Sequence, residues 1–239
     1  GDAAEVITEA TRAIVLISPG NPTGQVLPSR VFDEFADLAE QRDLVLIVDE
    51  TYRSFVPGGE APHRLFDRPN WREHVVSLHS FSKDLAIPGY RVGALVGHPE
   101  LLRQVAKLID CVAICAPRIG QEAAVAGLTE SVAWRTQKIE EIAAKQRRFE
   151  AALGSRPGGF ELWSAGAYYA WVRHPVADAS SARIAERLLL EQGVLTIPGS
   201  AFVPADTPML RFSFANASFD QIDTVGNRLR EFGEAAVLR

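Results

Sequence analysis

The sequence predicts an α/β fold, a mostly parallel sheet flanked by helices, followed by a smaller α+β domain, and three observations lead there. Two short apolar, β-branched runs, Ala13 to Ser18 and Leu44 to Val48, bracket a stretch from Ser29 to Gln41. Within that stretch Val31, Phe32, Phe35, Leu38 and Ala39 recur at helical spacing. Strand, loop, helix, strand is the right-handed crossover of a parallel sheet, and both runs are too apolar to have a wet face. A break at Gly154-Ser155-Arg156-Pro157-Gly158-Gly159 separates this region from shorter, mixed elements.

The first strand runs into the turn-formers Pro19 to Gly24, where Pro22 pushes Asn21 out of the helical region. Ser29 is the expected N-cap of the following helix. The second strand delivers Asp49-Glu50-Thr51-Tyr52 at its carboxyl end. Residues 53 to 73, rich in proline, glycine and charge, read as an irregular connection. Val75 to Leu78 is a third strand leading into Ser80 and Lys83, and Val92 to Val96 a fourth, expected to pair antiparallel as an edge because its connection is short. Pro99 to Asp110 and a long stretch from about Gln121 to Leu153 are expected to be helical. Beyond the break come a strand at Tyr168 to Val172, a helix from Ser180 to Gln192 stopped by Gly193, strands at Val194 to Ile197 and Leu210 to Phe214, and a last helix from Phe219. The expected domains are 1–148 and 149–239.

A net charge of −5 over 239 residues argues against an electrostatic hold on nucleic acid or an anionic membrane. No apolar run approaches a membrane span and no signal segment opens the chain, so a cytoplasmic setting is expected. Cys111 and Cys115, four apart on one helix face, are expected to be buried free thiols, and no metal site is expected. The single methionine is Met209, so translation is expected to start upstream of Gly1 and the sequence to be the C-terminal part of a longer polypeptide.

Ligands of open α/β sheets bind beyond the carboxyl ends of the strands. Three strand ends in a row bring polar groups there: Asn21, then Asp49 with Tyr52, then Ser80 with Lys83. The stretch Ser80-Phe81-Ser82-Lys83, with Arg91 shortly after it, suits a phosphorylated aldehyde. A lysine amine forms a Schiff base with a carbonyl, while hydroxyls and an arginine fork are what a phosphate dianion needs.

SPGNPTG at 18–24, DETY at 49–52, SFSKDLAIPGYRVG at 80–93 and LRFSFA at 210–215, in this order and spacing, resemble the fold type I pyridoxal-phosphate enzymes. Within them the match is to the class I/II aminotransferases related to aspartate aminotransferase. The resemblance implies pyridoxal 5'-phosphate as cofactor and transfer of an amino group between an α-amino acid and a 2-oxo acid. Lys83 would form the internal aldimine and carry the proton between the substrate α-carbon and cofactor C4′. Asp49 would pair with the pyridine nitrogen, and Asn21 and Tyr52 with the phenolic oxygen. Ser80 and Arg91 would hold the phosphate with Ser82 shaping the turn beside them. Arg211, together with Asn21, would bind the substrate through its α-carboxylate. It further implies a homodimer when the chain is full length, with the first sheet strands and part of the pocket lying upstream of Gly1. Residues 1–239 alone are therefore expected to bind cofactor poorly. Two other readings share parts of the pattern: a lyase or synthase on the same scaffold, and an aminotransferase-like domain of a transcription regulator.

Overall fold

Two sheets, each of four strands, organise residues 2–56, 61–204 and 207–237, the residues that this computed structural model describes. The chain divides into one unit of Gly1–Pro19 and Val26–Thr136 and another of Gly20–Gln25 and Gln137–Arg239.

In the first unit the elements run α1 (Asp2–Val6), β1 (Ala13–Ile17), α2 (Ser29–Gln41), β2 (Val45–Asp49), α3 (Trp71–His74), β3 (Val75–Ser80), α4 (Phe81–Asp84), β4 (Gly93–Val96), α5 (Pro99–Ala113) and α6 (Arg118–Glu130). Strands β1, β2 and β3 are parallel neighbours in that order, and β4 joins β3 antiparallel at the edge, as its short connection requires. The register pairs Ile17 with Asp49 and Asp49 with Leu78, so the carboxyl ends of β1 and β2 lie level and β3 runs two residues further, to Ser80. Helix α2 turns Phe32, Ala36 and Ala39 onto Leu16, Leu46 and Val48 of the sheet. Each such large apolar side chain buried contributes about 1.5–3 kcal/mol.

Three expectations need correction in this unit. The N-cap of α2 is Pro28, extended at φ −61 and ψ 146, whose carbonyl accepts the Val31 N–H at 2.9 Å, so Ser29 is already helical. Strand β1 does have an exposed face: Leu16 is 9 % exposed, whereas Val15 and Ile17 are 59 % and 45 % exposed. Only the Leu16 face carries α2; among the described residues nothing covers the other. Cys111 and Cys115 are both exposed, because no residue of α5 is buried and Cys115 lies past its end, beyond Ile114 at φ 62.

Helix α7 (Val132–Leu153) contains the division between the units, and the expected 148/149 boundary lies in the same helix. The second unit continues with β5 (Glu161–Gly166), β6 (Tyr169–Arg173), α8 (Ser181–Gln192), β7 (Ile197–Pro198), β8 (Met209–Ser213) and α9 (Phe219–Val237). Its sheet runs β5-β6-β8-β7, antiparallel throughout. Phe149, Phe160, Leu188, Leu210, Phe212 and Phe232 belong to its core. Ser180 caps α8, its hydroxyl accepting the Arg183 N–H, and Gly193 ends it in the left-handed region at φ 64, the stop that the sequence predicts. Strand β5 was not expected, since ELWSAG carries no apolar run and its pairing shifts register beside Trp163. The expected strand at Val194 to Ile197 is only Ile197–Pro198. Among the described residues no helix is long and apolar enough to cross a membrane.

The loop Gly20–Gln25 is closed by Gly24 N–H to Gly20 O at 2.8 Å and Gly20 N–H to Gln25 O at 2.9 Å. Gly24 sits at φ +68, and a Cβ there would lie 2.3 Å from Tyr169 O and 2.5 Å from Gly166 N. Strain and overlap with backbone act together, so Gly24→Ala is expected to cost about 2–4 kcal/mol. Urea unfolding checks this against Gly89→Ala, whose Cβ meets nothing within 4 Å and which should stay within about 0.5 kcal/mol of wild type.

Candidate functional site

In the first unit the site residues gather where β2 and β3 end. Asp49 closes β2, and its Oδ1 accepts the Thr51 N–H at 2.9 Å. That bond fixes the carboxylate at the strand end and leaves Oδ2 without a partner among the described residues. Tyr52 is buried at the start of the short 3-10 turn Arg53–Phe55. Ser80 is the last residue of β3 and caps α4, its Oγ accepting the Ser82 N–H at 3.4 Å. The single turn α4 carries buried Ser82 and half-buried Lys83. Arg91 has φ 51, a conformation that costs a non-glycine residue on the order of 1 kcal/mol. Its Nη1 donates to Pro88 O at 2.9 Å and reaches Ser82 Oγ at 3.5 Å, so the guanidinium folds back onto the turn that bears the lysine.

A neighbouring group was not singled out from the sequence. Glu50 is 3 % exposed, and its Oε1 receives Arg53 Nη1 at 3.0 Å while Ser77 Oγ donates to Oε2. His63 Nε2 lies 3.1 Å from Oε1, off the axis of a good hydrogen bond. His63 Nδ1 accepts the Leu65 N–H at 3.3 Å, which puts the ring proton on Nε2, facing Glu50. His79 Nε2 lies 2.8 Å from Ser77 Oγ and extends the chain outward. A signal was present: Ser77 and His79 alternate onto one face of β3, and Glu50 follows an apolar strand that needs no second carboxylate.

Burial alone would raise the Glu50 carboxyl, but the contacts of His63 and Ser77 and the charge of Arg53 outweigh it and hold the group below its ordinary value of 4.5. A folded value below the unfolded one means a stability contribution present above about pH 4.5 and lost as pH falls through the folded value. Unfolding measured from pH 6 down to pH 3 should therefore show a steeper loss for wild type than for Glu50→Gln. Parallel curves would show that Glu50 carries no such linkage.

In the second unit Arg211, in the middle of β8, stands opposite Trp171 of β6. Its Nη1 donates to Asn21 Oδ1 at 2.7 Å. The guanidinium carbon lies 4.5 Å from the Tyr169 ring centre and 4.9 Å from that of Phe202, two aromatic contacts that the sequence did not suggest. Its Nε is buried and has no hydrogen-bond partner among the described residues. One side of the fork is thus held by Asn21 while the Nε side remains to donate. Asn21, expected beside Asp49, groups with the second unit, because its loop is anchored there by Ser164 Oγ donating to Thr23 O at 2.6 Å.

The profile of a family described as "Aminotransferase class I and II" matches residues 2–229. The chain is 28% identical to an aromatic-amino-acid aminotransferase 2 of Thermococcus litoralis over 94% of its own length and 58% of the relative's. It is also 28% identical to an aspartate aminotransferase of Pyrococcus abyssi, again over 94% and 58%. The crystal structure of an aromatic aminotransferase from Pyrococcus horikoshii superposes with a TM-score of 0.89 at 25% identity, covering all of this chain and 64% of that one. The chain thus spans less than two thirds of the length of the relatives it matches.

Proposed function

We propose the following reaction for this chain, which belongs to the class I and II aminotransferase family: transfer of an amino group between an α-amino acid and a 2-oxo acid, with pyridoxal 5'-phosphate as cofactor. The observation that carries the reading is the Ser80-to-Arg91 turn, which bears Lys83 together with the Ser80 and Ser82 hydroxyls and a guanidinium folded back onto Ser82. That donor set fits an aldehyde and a phosphate. The open Oδ2 of Asp49, at the end of the neighbouring strand, fits a ring nitrogen that carries a proton.

When bound, the cofactor supplies a carbonyl carbon that takes up the amino group and a ring that draws electron density from the substrate α-carbon. Asp49 would accept the pyridine N–H and favour the protonated form of that nitrogen. Two opposite charges about 4 Å apart at an effective dielectric near 20 interact by about 4 kcal/mol, roughly three pK units. Tyr52 would donate to the phenolic oxygen, and Ser80, Ser82 and Arg91 would neutralise and orient the phosphate. Lys83 would hold the cofactor through its amine, and as a free amine it would serve as the base that moves the proton of the substrate α-carbon. In the second unit Arg211, steadied by Asn21 and the Tyr169 and Phe202 rings, binds the substrate α-carboxylate through its Nε side. The partner of the full-length protein is a second copy of itself.

The full-length protein, loaded with cofactor and given an amino donor without acceptor, should yield one equivalent of 2-oxo acid and aminated cofactor. Ammonia and a thiol from a sulfur-containing donor, with no aminated cofactor, would instead mark a lyase.

A further inference from the structure

We propose that Glu50 is a positioning residue for the cofactor-binding edge of the first unit, acting through Asp49, Tyr52 and Ser80; the inference rests on the aminotransferase reading above. Glu50 is tied in every direction. Its N–H donates to Leu78 O of β3 at 2.9 Å, and its own carbonyl accepts the Arg53 N–H at 3.0 Å, starting the turn that follows Tyr52. Its carboxylate meets Ser77 of β3, Arg53 of that turn and His63 of the connecting segment. Asp49 immediately precedes it, Tyr52 follows two positions later, and Ser77 lies three residues before Ser80.

Side chains alternate along a strand, and Ser77 pairs in register with Val48, so Ser77 and Glu50 share the face of the sheet opposite Asp49. Glu50 therefore acts through the backbone of the strand ends. A carboxylate suits the position because it only accepts hydrogen bonds, and the Ser77 hydroxyl, the His63 N–H and the Arg53 guanidinium all offer protons, with His79 Nε2 at 3.7 Å from Oε2. A glutamine must turn an NH2 toward one of them. Facing Ser77, it would compete with His79 for the one hydroxyl oxygen. Facing Arg53 and His63, it would set donors against donors.

The test uses the full-length protein and reads three quantities: the dissociation constant for pyridoxal 5'-phosphate, the pH midpoint of the bound cofactor's absorbance, and the melting temperature. Glu50→Gln should weaken cofactor binding about tenfold and Ser77→Ala about threefold, since misplaced strand ends loosen several contacts together. Glu50→Gln also leaves the Arg53 charge uncompensated, which disfavours nearby protonation, so the midpoint should fall by about half a unit. Phe232→Leu, buried in the second core, should lower the melting temperature while leaving cofactor affinity and midpoint unchanged. Wild-type affinity and midpoint in Glu50→Gln would overturn the inference. If that variant does not fold, Ser77→Ala decides: wild-type affinity there overturns it equally. A wild-type protein that does not bind the cofactor overturns the aminotransferase reading and this inference with it, whereas a binding wild type with unaffected variants overturns the inference alone.

Discussion

Lys83→Ala is expected to abolish transamination, with kcat falling by at least about 10⁴-fold while the apparent KM for the amino donor changes little. On the proposed reading the side chain performs two tasks that no neighbour can take over. Asp84, next to it, is committed to Arg135 at 2.6 Å, and Ser82 is buried against Arg91. Neither is an amine, so the covalent anchor is lost along with the proton carrier. Lys83→Arg should do no better, because a guanidinium stays protonated and cannot serve as nucleophile or base. A small primary amine added to Lys83→Ala should restore part of the proton transfer, in proportion to its concentration. Steady-state kinetics with and without the amine check both statements.

Arg211→Lys is expected to lower kcat/KM by about 10²–10³-fold, or about 3–4 kcal/mol, and to do so equally for donors with acidic and with aromatic side chains. A lysine keeps the charge. It loses the planar fork whose Nη1 is fixed by Asn21 and whose Nε has no hydrogen-bond partner among the described residues, and it loses the stacking between Tyr169 and Phe202. Asn21→Ala removes only the bond that sets the fork's angle and should cost about tenfold. An effect confined to one class of donor would mean that Arg211 reads the side chain and not the α-carboxylate.

How much of this was legible in the sequence depended on how local each feature is. Strands β1, β2 and β3 announce themselves as short β-branched runs, and α8 carries its own start and stop in Ser180 and Gly193. Asp49, Ser80 and Lys83 could be placed because each follows such a run within a few residues. Strand β5 could not, since its residues are held by pairing with β6 and show no pattern of their own. The exposure of Cys111 and of the Val15 face depends on what packs beside an element, which spacing does not record. The Glu50 group joins residues 50, 53, 63, 77 and 79 through contacts between two strands and a connecting segment. Arg211 and Asn21, 190 residues apart, met only through the family motif and not through any spacing rule.

The central claim, that Lys83 is the residue to which the cofactor bonds, is tested most directly by borohydride reduction of the cofactor-loaded full-length protein, followed by digestion and peptide mapping. The account predicts a reduced pyridoxyl phosphate on the peptide containing Lys83 and on no other. An unmodified Lys83 peptide, with the label on a different lysine or absent altogether, would contradict it.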